Sequence, residues 1–101
     1  GMFRELDRDL DHLHQFSAEL RAGADLLSRL EDGAVIVVGS SLFFAPDVTP
    51  EMITDKHLLF IVGAVAVCPK PLLGTVQANS IVGNMVMDEE AYEAFRKKYK
   101  V

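Results

Sequence analysis

The sequence predicts an α/β fold, a short solenoid of about three strand-strand-helix units, on two observations. The first is a pattern repeated three times, in which a strand-like run precedes a glycine, a second strand-like run and a helix start. The glycines of this pattern are Gly39, Gly63 and Gly83. The second is its period, because 19 residues separate Thr49 from Cys68 and 20 separate Cys68 from Asp88 at the helix starts. Such a period is typical of stacked repeats.

An α+β fold is the open alternative, in which the repetition is fortuitous and helices cover an antiparallel sheet. Either way, 101 residues predict one domain spanning residues 1–101. We divide it into N-terminal helices over 1–32, a repeat core over 33–87 and a C-terminal capping helix over 88–101.

The N-terminal segment is predicted to be helical because its apolar residues keep a three-four spacing along one stripe. These residues are Phe3, Leu6, Leu10, Leu13, Leu20, Ala24 and Leu27. Ser17 is a suitable residue to begin a second helix, so a bend is expected near Phe16 and Ser17. We expect this second helix to end at residues 31–33, with Gly33 in the left-handed conformation.

Each unit of the repeat core is predicted to contain two strands of about four residues joined by a turn at the glycine, followed by a short helix. The spacing is 24 residues from Gly39 to Gly63 and 20 from Gly63 to Gly83, so segment 41–48 is interpreted as a four-residue insertion. We expect one aliphatic column through the stack, formed by Ile36, Ile61 and Ile81 on neighbouring strands.

The helix starts of the repeat contain residues suited to that position. Thr49 and Asp88 are expected to accept a hydrogen bond from a free amide of the first turn, and Pro50 suits the first helical position. The final helix has Asp88, Glu89 and Glu90 at its start and basic residues at its end, which complements the helix dipole. It is predicted to cap the stack.

The alternation of strand, glycine turn, strand and helix at about 20 residues resembles the leucine-rich-repeat-like solenoids. It is most similar to the small strand-strand-helix repeat proteins of unassigned role that occur in bacteria. The resemblance extends over roughly residues 26–99. Such solenoids bind partners through surfaces that differ from one protein to the next, so the resemblance implies protein binding but assigns no functional residue.

Composition excludes several classes of function. The net charge is −5, which disfavours sequence-independent binding to nucleic acid or to anionic lipid. Cys68 is the single cysteine, so no internal disulfide forms and a reducing, cytoplasmic location is expected. The apolar runs are short and rich in β-branched residues, which predicts buried strands rather than membrane spans.

Residues suited to chemistry are few, and we predict no catalytic, cofactor or metal site. His12 and His14 would point apart on a helix, and His57 stands alone, so no metal ligand set is formed. Cys68 with a histidine is the only nucleophile-base pair available, but its place at the end of an apolar strand predicts a buried, unreactive thiol.

Two hypotheses of function follow. The favoured one is a small non-catalytic interaction or scaffolding module that forms a homodimer and also binds an unknown protein partner, through an edge strand or through the stripe of Phe3, Leu6, Leu10 and Leu13. The alternative is a domain that binds a small apolar ligand near the inserted loop, in a pocket lined by Phe43, Phe44 and His57.

Overall fold

The computed structural model describes residues 13–99, which form a mixed α/β fold, as predicted. The strands are Leu13–Phe16 (β1), Leu20–Ala22 (β2), Val35–Val38 (β3), Leu42–Phe44 (β4), Leu59–Val62 (β5), Val65–Cys68 (β6), Ser80–Val82 (β7) and Met85–Asp88 (β8). The helices are Ala24–Ser28 (α1), Pro50–Thr54 (α2), Leu73–Ala78 (α3, preceded by a 3-10 turn at Lys70–Leu72) and Glu89–Tyr99 (α4).

The strands form two parallel sheets of four strands each. The first sheet has the order β1-β3-β5-β7 and the second has the order β2-β4-β6-β8. Every pairing between neighbouring strands is parallel, so the antiparallel alternative is wrong for the described residues. Successive strands alternate between the two sheets, and a helix follows each pair of strands. We call each strand-strand-helix segment a unit.

The described residues contain four units, one more than the repeated glycine pattern indicates. The additional unit is the first, formed by β1, β2 and α1. The helical prediction is therefore wrong for residues 13–16 and 20–22, and it is confirmed for Ala24–Ser28. The apolar spacing in this segment suits a helix, but pairing with β3 and β4 selects the extended conformation. Phe3, Leu6 and Leu10 lie outside the described residues.

The repeated glycines stack against one another. A Cβ atom built on Gly39 would lie 2.7 Å from the carbonyl oxygen of Ser17, and one on Gly63 would lie 2.3 Å from that of Gly39. A Cβ on Gly83 would lie 2.2 Å from the carbonyl oxygen of Gly63. Glycine is thus required by close backbone approach between units, and not by the left-handed conformation, which among the described glycines only Gly33 adopts, with φ 76°.

Aligning the strands on their glycines gives the observed register of the first sheet. The predicted column of isoleucines is wrong, because Ile36 is one residue out of line with Ile61 and Ile81. Ile61 pairs with Ile81, whereas Ile36 pairs with Phe60. Because alternate residues of a strand face opposite sides, Ile36 points into the core while Ile61 and Ile81 point outward. Val37 occupies the outward position beside Ile61.

The core lies between the two sheets and the helices and consists of aliphatic side chains and two phenylalanines. Phe44 and Phe60 meet edge to face, with their ring centroids 5.1 Å apart. The largest fully enclosed side chains of this core are Leu27, Ile36, Val38, Leu42, Ile53, Leu58, Phe60, Leu72, Val76 and Cys68. Each unit contributes to this set or packs against it, so the stack has one continuous core.

The first helix is held at both ends by the next unit. Gly23 precedes α1 and has no side chain, and Asp47 instead accepts a hydrogen bond from the Ala24 amide at 3.2 Å. At the other end, Lys56 Nζ donates to the carbonyl oxygens of Leu27, Ser28 and Leu30 at 3.0, 2.7 and 2.8 Å. The helix ends earlier than predicted, and Gly33 forms part of the loop that follows.

Of the two side-chain hydrogen bonds predicted at the starts of the later helices, one is present. Asp88 Oδ1 accepts a hydrogen bond from the Ala91 amide at 2.7 Å, as predicted. Thr49 occupies the capping position of α2 but makes no side-chain hydrogen bond there. Helix α4 packs on the outer face of the second sheet, where Tyr92 and Phe95 contact a small buried cluster of Val65, Val67 and Met87. No helix in residues 13–99 is long and apolar enough to cross a bilayer.

Candidate interaction surfaces

The outer face of the second sheet carries a groove beside α4. Strand register places Arg21, Phe43, Val67 and Met87 in one row across the four strands. Helix α4 covers the Met87 end of this row and leaves the Arg21 end exposed. The resulting groove has a volume of about 400 Å³. Its lining comprises Glu19, Arg21, Phe43, Val67, Glu89, Tyr92, Glu93 and Arg96.

Phe43 forms the aromatic floor of this groove. Its ring meets Tyr92 edge to face at 5.2 Å, and the Arg21 guanidinium lies 5.2 Å from its centroid. Two ion pairs fall within the lining, Arg21 with Glu19 at 3.5 Å and Arg96 with Glu93 at 3.3 Å. Five of the eight lining residues are charged, so the groove lacks the apolar lining expected of a site for a small apolar ligand.

The three residues predicted to share a ligand pocket are placed differently from one another. Phe44 neighbours Phe43 in β4 and therefore points into the core, where it is 2% exposed. Both rings border a smaller depression of about 180 Å³ that also includes Ala45 and Pro46. His57 is not among the residues that line either depression. It is exposed, has φ 54° and lies 3.1 Å from an Asp32 carboxylate oxygen.

Cys68 is enclosed in the core, as predicted. Its side chain is 0% exposed, and burial, together with the nearby negative charge of Asp88, raises the pKa of the thiol from 9.0 to about 11. The thiol is thus protonated at neutral pH. A nucleophilic cysteine requires the opposite shift, so this environment supports a structural residue.

His14 lies on strand β1 and not on a helix. Its Nε2 is 2.9 Å from Glu31 Oε1. His12 lies outside the described residues. Within residues 13–99, no cluster of three or more histidine, cysteine or carboxylate side chains could hold a metal ion.

The outer face of the first sheet is aliphatic. The side chains that point outward from its strands are Leu13, Gln15, Val35, Val37, Leu59, Ile61 and Ile81. We call this set the aliphatic face. Gln15 is its one polar member, and no charged residue belongs to it. Ile81, on the last strand, is 63% exposed. The other apolar members of the face are partly exposed, and a contiguous apolar surface of this kind is typical of interaction sites.

Comparison of the chain with protein-family models, with curated proteins and with solved structures gave no match. The functional interpretation therefore rests on the surfaces described above.

Proposed function

We propose that this chain is a small, non-catalytic interaction module, built as a short solenoid, that associates with itself in the cytoplasm and also presents a surface to a protein partner. The observation that carries the proposal is the aliphatic face, with Ile81 at its exposed margin. Parallel sheets are normally covered on both sides. An exposed aliphatic side gains free energy when another protein surface removes it from water.

The chemistry of the candidate residues also favours binding over catalysis. The buried thiol of Cys68 has a raised pKa, which disfavours a nucleophilic role. The groove contains Phe43, Tyr92 and two arginines, residue types that are enriched at protein interfaces, beside three glutamates. We assign this groove to the protein partner, because its charged lining suits a polar protein surface.

The first test is the mass of the protein in solution. We expect sedimentation equilibrium to show a concentration-dependent dimer for the unsubstituted chain. The substitution Ile81→Lys should raise the dimer dissociation constant at least about tenfold, since it places a charge at the exposed margin of the aliphatic face, on strand β7. Met85→Lys is the matched control, because Met85 is 55% exposed but lies on the other sheet. A chain that stays monomeric at all concentrations would contradict the proposed self-association.

A further inference from the structure

The last part of the stack differs from the rest in charge. Residues 71–87, which include α3, β7 and the first three residues of β8, contain no charged side chain, although a quarter of the whole chain is charged. Helices α1 and α2 each carry an acidic residue in their first turn, and α3 carries none. Terminal repeats of stacked proteins normally have a polar outer surface that keeps them soluble. At this end of the stack the described residues 71–87 offer only uncharged polar side chains, among them the exposed Gln77 and Asn84.

The core is also incompletely closed at this end. Val62 and Ala66 of the third unit are 2% and 0% exposed. Their counterparts in the fourth unit, Val82 and Val86, remain partly exposed. Strand β7 also contains Ser80 Oγ, which is buried without a hydrogen-bond partner. A buried polar atom of this kind destabilises the folded chain.

Strand β7 is the final strand of the first sheet in the described part of the chain, so one of its edges has no neighbour. The Phe60 amide donates to the Asn79 carbonyl oxygen, and the Gly83 amide donates to the Val62 carbonyl oxygen. Hydrogen bonds of a parallel ladder involve alternate residues, so the N–H groups of Ser80 and Val82 point toward the free edge. Natural edge strands are commonly protected by charges, prolines or bulges. The sequence Ser80-Ile81-Val82 has neither charge nor proline.

At the opposite end of the stack, beside β1, a second copy is unable to add its units in register. The Cβ positions of Gly39, Gly63 and Gly83 all point at the carbonyl group of the preceding unit. Ser17 occupies the same place in the first unit but carries a real Cβ, so the carbonyl group of a further preceding unit would collide with it. The Gly83 end of one molecule is therefore unable to stack on the Ser17 end of another, and head-to-tail growth is blocked.

From these observations we infer that the free edge of β7 pairs with the β7 edge of a second copy around a two-fold axis. A two-fold axis perpendicular to the strands makes the paired strands antiparallel and joins the two first sheets into one sheet of eight strands. The contact is closed, because each copy uses the same edge. This inference specifies the geometry of the self-association proposed above and depends on it.

The test compares proline substitutions at the two ends of the stack by sedimentation equilibrium. Val82→Pro removes an outward N–H group without removing a hydrogen bond to β5, and it should raise the dimer dissociation constant at least about tenfold. The matched control is Gln15→Pro, which removes an outward N–H group from the opposite edge, on β1, and should leave the dimer intact. Circular dichroism of both variants checks that they fold.

A third variant separates the edge from the aliphatic face. Val37→Lys changes the face two strands away from β7 and should preserve the dimer. A dimer lost in Val37→Lys but retained in Val82→Pro would overturn the edge inference and leave the proposed self-association in place. Loss of the dimer in Gln15→Pro would also overturn it. A monomeric unsubstituted chain would instead overturn the proposed self-association.

Hydrogen exchange of the unsubstituted chain gives a measurement that does not depend on any variant folding. Amide protons of Ser80 and Val82 should exchange at least about tenfold more slowly in concentrated samples than in dilute ones, because antiparallel pairing protects them. The Gln15 amide should exchange at the same rate in both. Equal exchange of Ser80 and Val82 at concentrations where the mass shows a dimer would overturn the edge inference.

Discussion

Two glycines in the same chain illustrate how the need for glycine depends on its surroundings. Gly63 lies against the backbone of Gly39, where a Cβ atom would be 2.3 Å from the carbonyl oxygen. Gly74 lies in α3 with no atom within 4 Å of its hypothetical Cβ, and its φ is not in the left-handed region. The sequence pattern identified the first as a repeat anchor. From the sequence we explained this glycine by the conformation of a turn. The close approach between units is a tertiary contact, which a single sequence does not reveal.

We predict opposite effects for alanine at these two positions. Gly63→Ala should reduce the free energy of unfolding by about 3 kcal/mol, because the new methyl group forces two backbone segments apart. Gly74→Ala should increase it by about 0.5–1 kcal/mol, because alanine favours the helix. Urea unfolding followed by circular dichroism measures both. A Gly63→Ala variant as stable as the unsubstituted chain would contradict the proposed contact between units.

The buried thiol of Cys68 predicts a loss of stability at alkaline pH. Its pKa is raised to about 11 in the folded chain, so between about pH 9 and 11 the folded state keeps a proton that the unfolded state releases. The stabilisation is therefore fully present below about pH 9 and is lost as the pH rises toward about 11. Urea unfolding across this range should show a steeper decline for the unsubstituted chain than for Cys68→Ala. Parallel declines would contradict the raised pKa.

At the scale of elements, α1 shows how a short helix is stabilised from outside. Five residues are too few for an independent helix in water. Asp47 and Lys56 from the second unit supply partners to its free amide and carbonyl groups. The sequence pattern located this helix but missed both partners, because they are distant in sequence. Asp47 is 23 residues from the Ala24 amide that donates to it, and Lys56 is 26 to 29 residues from its carbonyl acceptors.

We predict that Lys56→Met will reduce the free energy of unfolding by about 1–2 kcal/mol. The substitution keeps the apolar stem but leaves two carbonyl oxygens of α1, and that of Leu30 just beyond it, without their charged donor. Urea unfolding at neutral pH is the measurement. Lys70→Met is the matched control, because its ion pair with Glu90 is exposed and should contribute less than about 0.5 kcal/mol. Equal effects of the two substitutions would contradict the role assigned to Lys56.

The first unit shows that apolar periodicity alone does not decide between helix and strand. Residues 13–22 carry apolar side chains at positions that suit a helix, yet they form β1 and β2. Strands this short gain their stability from pairing with β3 and β4, which the local pattern does not encode. The clue that sequence reasoning passed over is Ser17, which lies 22 residues before Gly39 and occupies the corresponding place in the stack.

At the scale of the whole molecule, the α/β class and the presence of a strand on either side of each repeated glycine were predictable, because glycine spacing and β-branched runs repeat after residue 33. The two-sheet arrangement was not, since the pattern states where strands occur but not which strands are neighbours. The surfaces followed only from that arrangement. Phe43 and Phe44 appear as one aromatic pair in the sequence, but the strand directs one ring to the groove and the other to the core.

The glycine stack has a consequence for how such a chain changes length during evolution. Every strand bonds only to the strand two places before or after it, and the loop at residues 45–48 already absorbs a four-residue difference between successive units. Duplication or loss of one whole internal unit would preserve each surviving backbone contact, whereas a partial duplication would displace the glycines from their carbonyl neighbours. We therefore expect duplications or losses of strands that retain the fold to comprise whole units, with smaller changes in length confined to loops such as residues 45–48.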